Sequence, residues 1–433
     1  MDKRAQHVID VFNFVLGRDP TQKEISKYRM YGTDMLKMEL QTIKQQQEAK
    51  KVEPLLKIAK NIKLVNGVSL VSTYNVQCGI ATYTENLFAA LKGKTRVCVL
   101  SERDRNRNEK ADENNVFPCW SRSSSNYAEL IESAIFSGNR IIHFQHEHGL
   151  FKDEAEFKKL VHFLKNHGFK IVITAHTVFG DNKFKNEFLN LADAVILHSE
   201  SAAQFLQPAG IEHVTVIPHG TEEPLEIKKK DANEFVKNLV PGLNLRKHIL
   251  GCSVGFITPN KMQLETLEAV KEACKKEKNL KFLLIGSTAR RDNDDSYFYK
   301  LKELEDENII VAQSFLTREQ IAKVLIASRF AIMNYEQTNY SISGASHLLM
   351  TYGVPSISSR SRILEDLDES MSLKINKQSE MPEKIIEMCE MIKKRDPKLT
   401  TMKKLLLSTA KKTSWKETAK NYIKVYNHIL KGN

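Results

Sequence analysis

From Gly67 onward, short apolar runs rich in β-branched residues alternate with segments of helical periodicity. Runs such as GVSLVSTY, RIIHFQH and KIVITAHT are nearly continuous in hydrophobicity and are bounded by polar or turn residues, as buried parallel strands are. The segments between them, such as TENLFAALKG and DEAEFKKLVHFLKNHG, have the apolar spacing of amphipathic helices. This alternation predicts an α/β fold built on doubly wound parallel sheets.

The alternation occurs in two series, separated by a stretch rich in charge and proline that begins at TEEPLEIKKK. Because 433 residues exceed what one core usually holds, we predict two Rossmann-like domains, at 61–225 and 226–410. A small helical appendage over 1–60 precedes them, and a final helix over 411–433 follows. The carboxyl ends of both sheets would face a cleft between the domains, where open α/β sheets bind their ligands.

The apolar runs and the cysteines of the chain indicate its cellular location. No apolar run approaches the ~20 residues that span a bilayer, and residues 1–17 lack the apolar core of a signal peptide. The 6 cysteines are scattered without a CxxC pair, which is typical of reduced thiols. We therefore expect a cytoplasmic protein.

Positive charge is concentrated at the end of the chain. The net charge is +12, and residues 391–433 contain 12 Lys or Arg against Asp396 and Glu417, a local net charge of +10. Such a segment is either a solvated helical face or a surface that attracts a polyanion. An anionic membrane, contacted peripherally, and nucleic acid are both compatible with it.

A lone glycine occupies the turn between the first strand and the helix after it. Gly79, followed by Ile80, lets backbone N–H groups at a helix N-terminus come close to a ligand, which favours an anionic one. A tight strand-to-helix turn alone would also favour glycine. Since the GxGxxG pattern is absent, a dinucleotide-binding site is disfavoured.

Three histidines follow predicted strand ends, and we expect them to meet at one rim of the sheet. These are His146, His176 and His219. His146 would face the cleft as a neutral hydrogen-bonding group, although a core or loop histidine is an alternative. A metal site on His146 and His148 would need further ligands that the nearby sequence does not offer convincingly.

The second series places polar groups at corresponding positions. Lys261 stands at a helix start, where a cation opposes the helix dipole unless it binds a phosphate; an exposed lysine is the alternative. Ser343 and Gly344 begin a later helix whose N–H groups are suited to a phosphate. Glu336 is the carboxylate best placed to hold a sugar or ribose hydroxyl.

Taken in order, these motifs resemble those of glycosyltransferase family 4, which has the GT-B fold. The segments CGIATYTENLFAAL, QHEHGLF, TAHT, LHSES and VIPHG follow the family's order, and GASHLLMTYGVPSISS resembles a later helix and strand. CGIAT followed by QHE is similar to one bacterial branch. The closing SWKETAKNYIKVYNHIL resembles the helix that crosses back onto the first domain. The resemblance covers about residues 64–430.

The resemblance implies a retaining transferase that uses a UDP- or GDP-linked sugar, with no metal and no other cofactor. Lys261 would then neutralise the leaving diphosphate, as a preorganised charge does. It assigns catalytic roles to His146, Lys261 and Glu336, and donor-binding roles to Gly79, Ile80, His176, Gly286, Ser343 and Gly344. The acceptor would be an anionic or lipid-linked glycan.

The chain departs from the family pattern at three positions. Phe256 stands where many members have arginine, and Tyr340 and Leu348 stand where many have glutamates. The missing glutamates favour one alternative, a catalytically inactive protein that binds sugar nucleotides or glycans. Another alternative is a phage-type DNA glycosyltransferase acting on hydroxymethylated pyrimidines, which would use the basic C-terminal segment.

Overall fold

The computed structural model describes residues 3–16, 19–33, 35–40, 43, 63–103, 114–151, 153–288, 295–336 and 339–431. Near the start of the chain, helices α1 (Lys3–Leu16) and α2 (Gln22–Tyr28) pack together, with the rings of Phe12 and Tyr28 5.6 Å apart. Leu36 and Leu40 complete this small core. Residues 44–60 of the predicted helical appendage lie outside the described residues.

A parallel sheet of seven strands forms from the described residues that follow, in the order β3-β2-β1-β4-β5-β6-β7. The strands are β1 (Val65–Ser72), β2 (Val97–Glu102), β3 (Val116–Trp120), β4 (Asn139–His146), β5 (Lys170–Ala175), β6 (Ala194–Leu197) and β7 (Val214–Val216). The helices are α3 (Gly79–Leu91), α4 (Ala128–Ser137), α5 (Glu154–Asn166) and α6 (Glu200–Leu206), with 3₁₀ turns at Lys183–Leu191 and Gln207–Ala209. We call this unit the first domain.

A second parallel sheet, the second domain, has the order β10-β9-β8-β11-β12-β13 among the described residues. Its strands are β8 (Ile249–Val254), β9 (Leu280–Gly286), β10 (Ile309–Gln313), β11 (Phe330–Met333), β12 (Ser356–Ser359) and β13 (Ser372–Ile375). Its helices are α7 (Lys229–Leu239), α8 (Gln263–Lys276), α9 (Ser296–Lys302), α10 (Arg318–Ala327), α11 (Gly344–Tyr352), α12 (Met381–Lys394) and α13 (Pro397–Lys412), with 3₁₀ turns at Pro259–Lys261, Arg362–Leu364 and Gln378–Glu380.

Both sheets have their order reversal beside the first strand of the series, which is the doubly wound arrangement. Apolar side chains cover both faces of each sheet, which explains why the strands read as continuous hydrophobic runs. The predicted α/β fold with two Rossmann-like sheets is confirmed.

The last helix, α14 (Trp415–Lys431), returns to the first domain although it follows the second domain in sequence. Its buried Tyr422 hydroxyl lies 2.7 Å from that of Tyr83 on α3. Its Tyr426 hydroxyl lies 2.7 Å from Nδ1 of His143 on β4. These contacts fix α14 against the first sheet.

The domains contact each other at the chain crossover and beside Tyr340, among other places. At the chain crossover, Thr221 N–H donates to the carbonyl oxygen of Thr413 at 2.8 Å, and its hydroxyl lies 2.6 Å from Nδ1 of His347. Elsewhere, Val178 and Tyr340 form an isolated antiparallel bridge. The cleft between the domains is where the functional groups collect.

Candidate active site between the two sheets

A cavity of about 730 Å³ lies between the domains, at the carboxyl ends of the central strands of the second sheet and beside the start of α3. Its first-domain wall, which we define as the described residues of 63–225 that line it, includes Gly79, Thr82, Glu85, Asn86, His219 and Glu222. The second-domain wall includes Lys261, Gly286, Arg318, Ser343, Gly344 and His347. A cavity of this size accommodates a substrate of drug-like dimensions.

Gly79 begins α3 and leaves open space in front of it. A Cβ atom built at Gly79 would meet no heavy atom within 4 Å, and the residue is exposed. Cys78, which precedes it, caps the helix without a side-chain hydrogen bond. Neither packing nor a left-handed backbone therefore requires glycine here, and the N-terminus of α3 is open to a ligand.

Lys261 lies at the end of the Pro259–Lys261 turn, immediately before α8. Its Nζ is 5.6 Å from the centre of the Tyr335 ring and 5.9 Å from that of Phe256, within the range of cation–π attraction. It makes no ion pair with a carboxylate in the described part of the chain. The half-buried ammonium is thus available to an anion in the cavity.

Backbone groups from three second-domain segments meet beside Lys261. Gly286 ends β9 so close to the neighbouring strand that a Cβ atom would lie 1.6 Å from the carbonyl oxygen of Gly255. Ser343 precedes α11, which begins at Gly344, and the Ser343 side chain forms no capping hydrogen bond. The first N–H groups of α11 are therefore directed to the cavity end of the helix, where they favour negative charge.

Histidines gather around the buried ring of Tyr83. The ring centres of His176, His198 and His219 lie 4.7, 5.2 and 5.0 Å from it. Burial lowers the pKa of His176 and His219 well below the usual value and that of His198 to about 4. These imidazoles are neutral at physiological pH, and of the three only His219 lines the cavity among the described residues.

Three histidines were predicted to meet at one rim of the sheet, and the side chains of two of them do so. His176 and His219 meet around Tyr83, but His176 is buried and its Nε2 lies 2.9 Å from Oε1 of Gln145. His146 is 3% exposed and stacks on Phe151, with ring centres 5.6 Å apart. Its side chain does not line the cavity, because it points to the apolar face of β4.

Two further predicted residues also lie outside the cavity lining. Ile80 packs against the apolar core of the first domain. Glu336 is exposed, and its contribution is through the backbone: its N–H donates to the carbonyl oxygen of Asn260 at 2.9 Å. That bond holds the turn that presents Lys261, so Glu336 supports the turn without its carboxylate.

Several residues that line the cavity were not predicted from the sequence to be part of a site. Glu85 on α3 accepts a hydrogen bond from the N–H of Asn75 at 2.9 Å. Burial raises the pKa of Glu85, the bond from Asn75 opposes this, and the charge of Glu222 adds to the rise. Glu222 forms an ion pair with Arg318 of the second domain. The position of Glu85 on α3, two turns from Gly79, was the signal available for it.

His347 connects the cavity to the domain crossover. Its Nε2 lies 2.8 Å from a carboxylate oxygen of Asp366, and its Nδ1 contacts Thr221 across the domains. Its ring centre is 4.7 Å from that of His219. No local pattern marks this arrangement, since His219 and Thr221 belong to the other domain and are far from His347 in sequence.

Within the described ranges, no group of three or more His, Cys, Asp or Glu side chains has the arrangement of a metal site. The described helices also include none that is long and apolar enough to cross a membrane.

Comparison with known proteins gives a consistent result. Residues 78–223 match the model of Glycosyltransferase Family 4. A glycosyltransferase from Rickettsia africae ESF-5 superposes with a TM-score of 0.68 at 14% identity, covering 85% of this chain and 100% of that one. Anabaena HepE, solved with UDP and glucose, has a TM-score of 0.62 at 12% identity, covering 85% and 99%.

An α,α-trehalose-phosphate synthase (UDP-forming) from Burkholderia xenovorans, solved with glucose-6-phosphate, has a TM-score of 0.59 at 11% identity, covering 84% of this chain and 100% of that one. A comparison with curated proteins gives no match. At these identities the structural matches establish the fold, and the expected GT-B architecture is confirmed.

Proposed function

We propose that this chain, a glycosyltransferase family 4-like protein with the GT-B fold, moves a sugar from a nucleotide-diphosphate sugar to a glycan or lipid-linked acceptor. The observation that carries the proposal is the pairing of Lys261 with the N-terminus of α11 at one cavity wall. Both supply positive charge where a leaving diphosphate would sit. UDP is the favoured nucleotide, since two solved relatives of the same fold are described with UDP or as UDP-forming.

Negative charge develops on the leaving group as the glycosidic bond of the donor breaks. The departing nucleotide diphosphate gains negative charge on its terminal phosphate, and preorganised donors lower the energy of that state. Lys261 has no competing carboxylate among the described residues, so its charge is not already neutralised. The open space at Gly79 would let the N-terminus of α3 approach the same phosphates from the first domain.

Retention of anomeric configuration and independence of a divalent metal are parts of the proposal. Lys261 and the α11 amides take the place that a cation would otherwise occupy beside the diphosphate. His219, kept neutral by burial, is the first-domain imidazole that can hydrogen-bond the donor sugar, in the role predicted for His146. This reassignment follows from which histidine reaches the cavity.

The anionic part of the acceptor would contact the basic C-terminal surface. Helix α13 carries lysines on its exposed side and no acidic residue within its bounds, and Leu405 and Leu407 on it are 37% and 40% exposed. Cationic side chains mixed with exposed leucines suit the surface of an anionic membrane. A lipid-linked acceptor held there would be delivered from a membrane contacted peripherally.

The experiments distinguish an enzyme from an inactive binding protein, and a glycan acceptor from DNA. Thermal shift with UDP, GDP and their sugar derivatives identifies the donor, because a ligand of the folded state raises its stability. Nucleotide release from that donor must then fall in Lys261→Ala and persist in Lys271→Ala, an exposed lysine on α8. Binding without release would favour the inactive alternative. Strong binding of duplex DNA with no binding to anionic liposomes would favour the phage-type one.

A further inference from the structure

The two walls of the cavity carry opposite charge. The second-domain wall presents Lys261 and Arg318, whereas the first-domain wall presents Glu85 and Glu222 and, among its described residues, neither lysine nor arginine. The histidine of that wall, His219, is neutral because burial lowers its pKa. A ligand group that lies against the first domain therefore meets carboxylates and no cation belonging to that wall.

The two carboxylates differ in how far they are neutralised. Glu222 forms an ion pair with Arg318 and accepts a hydrogen bond from Nδ2 of Asn86 at 3.2 Å. Glu85 makes no ion pair with a described cation, and it accepts a hydrogen bond from the N–H of Asn75. Uncompensated negative charge on the first-domain wall therefore resides on Glu85.

A buried donor without an acceptor lies on the same side. Trp415 lines the cavity, is 8% exposed, and its Nε1 has no hydrogen-bond partner in the described structure. Buried indole N–H groups normally find an acceptor, and a sugar hydroxyl can be one. Its ring also offers an apolar surface of the kind on which sugar faces pack.

We propose that the acceptor unit entering the cavity is an uncharged or amine-bearing sugar, not a sugar phosphate, and that Glu85 selects against the phosphate. This rests on the proposed function, and it names the acceptor class for the same site. A phosphate placed beside Glu85, about two turns along α3 from the N-terminus at Gly79, would face this carboxylate without a cation of the first-domain wall, and such like-charge contacts are costly. A hydroxyl or ammonium group would instead donate to the carboxylate.

The inference also restricts where an anionic acceptor carries its charge. The reacting sugar must be free of phosphate where it lies beside Glu85, so the diphosphate of a lipid-linked acceptor would have to stay away from this residue. The basic exposed side of α13 is then the surface suited to it. The acceptor class thus differs from glucose-6-phosphate, with which the Burkholderia relative was solved.

The experiment uses three sugars that differ mainly in charge: glucose, glucosamine and glucose 6-phosphate. Each is added to the protein saturated with UDP, and the thermal shift and, with UDP-glucose, the UDP release above hydrolysis are measured. We expect the response to glucose or glucosamine to exceed that to glucose 6-phosphate at least about tenfold. An equal or larger response to glucose 6-phosphate would overturn the inference.

Charge reversal makes the test independent of whether glucose is the natural acceptor. Glu85→Lys should gain response to glucose 6-phosphate by at least about tenfold over the wild type, and Glu85→Gln should gain less. Glu223→Gln, an exposed carboxylate outside the cavity lining, should leave the ranking unchanged. If the wild type responded to none of the three sugars and Glu85→Lys gained no response to glucose 6-phosphate, the inference would equally be contradicted.

The failure of this inference is distinguishable from failure of the proposed function. A protein that binds neither UDP nor GDP contradicts the proposed function itself. A protein that binds UDP through Lys261 but prefers the sugar phosphate contradicts only the role of Glu85.

Discussion

Replacing Gly79 with valine should weaken nucleotide binding while leaving the fold intact. A Cβ atom at this position meets nothing within 4 Å, and the backbone is not left-handed, so the new side chain strains no neighbour. Exposed substitutions without strain change stability by about 0.5 kcal/mol or less, and replacing glycine can stabilise slightly. The free energy of unfolding should therefore stay within about 1 kcal/mol of the wild type.

The expected effect on nucleotide binding follows from the use of the open space in front of Gly79. If the N–H groups at the start of α3 donate to the diphosphate, the valine side chain prevents that approach. Losing one hydrogen bond to a charged group costs about 1.5–3 kcal/mol. Since ~1.4 kcal/mol corresponds to tenfold in affinity, the dissociation constant should rise about 10- to 150-fold.

Urea unfolding and isothermal titration calorimetry with UDP and GDP measure the two quantities separately. Gly286→Ala is the contrasting variant, because its Cβ atom would lie 1.6 Å from the Gly255 carbonyl oxygen. Overpacking of this kind costs about 1–3 kcal/mol or more, so this variant should lose stability. Unchanged nucleotide affinity in Gly79→Val, or a loss of stability as large as that in Gly286→Ala, would refute the reasoning.

Four other outcomes are expected. Lys261→Ala should lower turnover by roughly 10²-fold with a confirmed donor, whereas Lys271→Ala should not, as steady-state kinetics would reveal. EDTA should leave turnover unchanged; loss of activity that magnesium or manganese restores would contradict the metal-independent proposal. Tyr426→Phe should cost about 1–3 kcal/mol in urea unfolding, because it leaves the buried Nδ1 of His143 without its partner. Burial lowers the pKa of His143 to about 3 and that of His198 to about 4, so the unfolded chain binds more protons than the folded one below its own histidine pKa. Stability should therefore fall as the pH drops below about 6.5, by about 1.4 kcal/mol per histidine at pH ~5.5; stability that is flat between pH ~7.5 and ~5.5 would contradict this.

Features that depend only on a residue's position in the strand–helix alternation could be predicted from the local sequence. The strands could be predicted because both faces of each sheet are covered, so their apolar runs are nearly continuous. Gly79, Lys261, Gly286, Ser343 and Gly344 reach the cavity because a residue just after a parallel strand must lie at the carboxyl edge of its sheet.

Side-chain direction explains why the histidine on β4 does not line the cavity. Alternate residues of a strand point to opposite faces. His146 shares its face with Phe144, which is buried in the apolar core, and therefore packs among phenylalanines. Its neighbour His143 points the other way, to α14. The apolar residue two positions earlier was a usable signal.

Contacts between distant segments could not be predicted at all. The role of Glu85 depends on which face of α3 borders the second domain, and that of His347 on a crossover between Thr221 and Thr413. Both depend on how the two sheets are placed relative to each other. The hydrophobic periodicity of neither series gives that information. Glu336 likewise lies outside the cavity lining, and the loop that follows β11 has no periodic pattern from which its direction could be predicted.

The central claim is that the cavity between the sheets holds a nucleotide diphosphate against Lys261. A crystal structure of the protein with UDP tests this directly. We expect the terminal phosphate to lie within hydrogen-bonding distance of Lys261 Nζ and beside the N-terminus of α11 at Gly344. UDP bound elsewhere, or bound in the cavity with its phosphates directed away from Lys261, would contradict it.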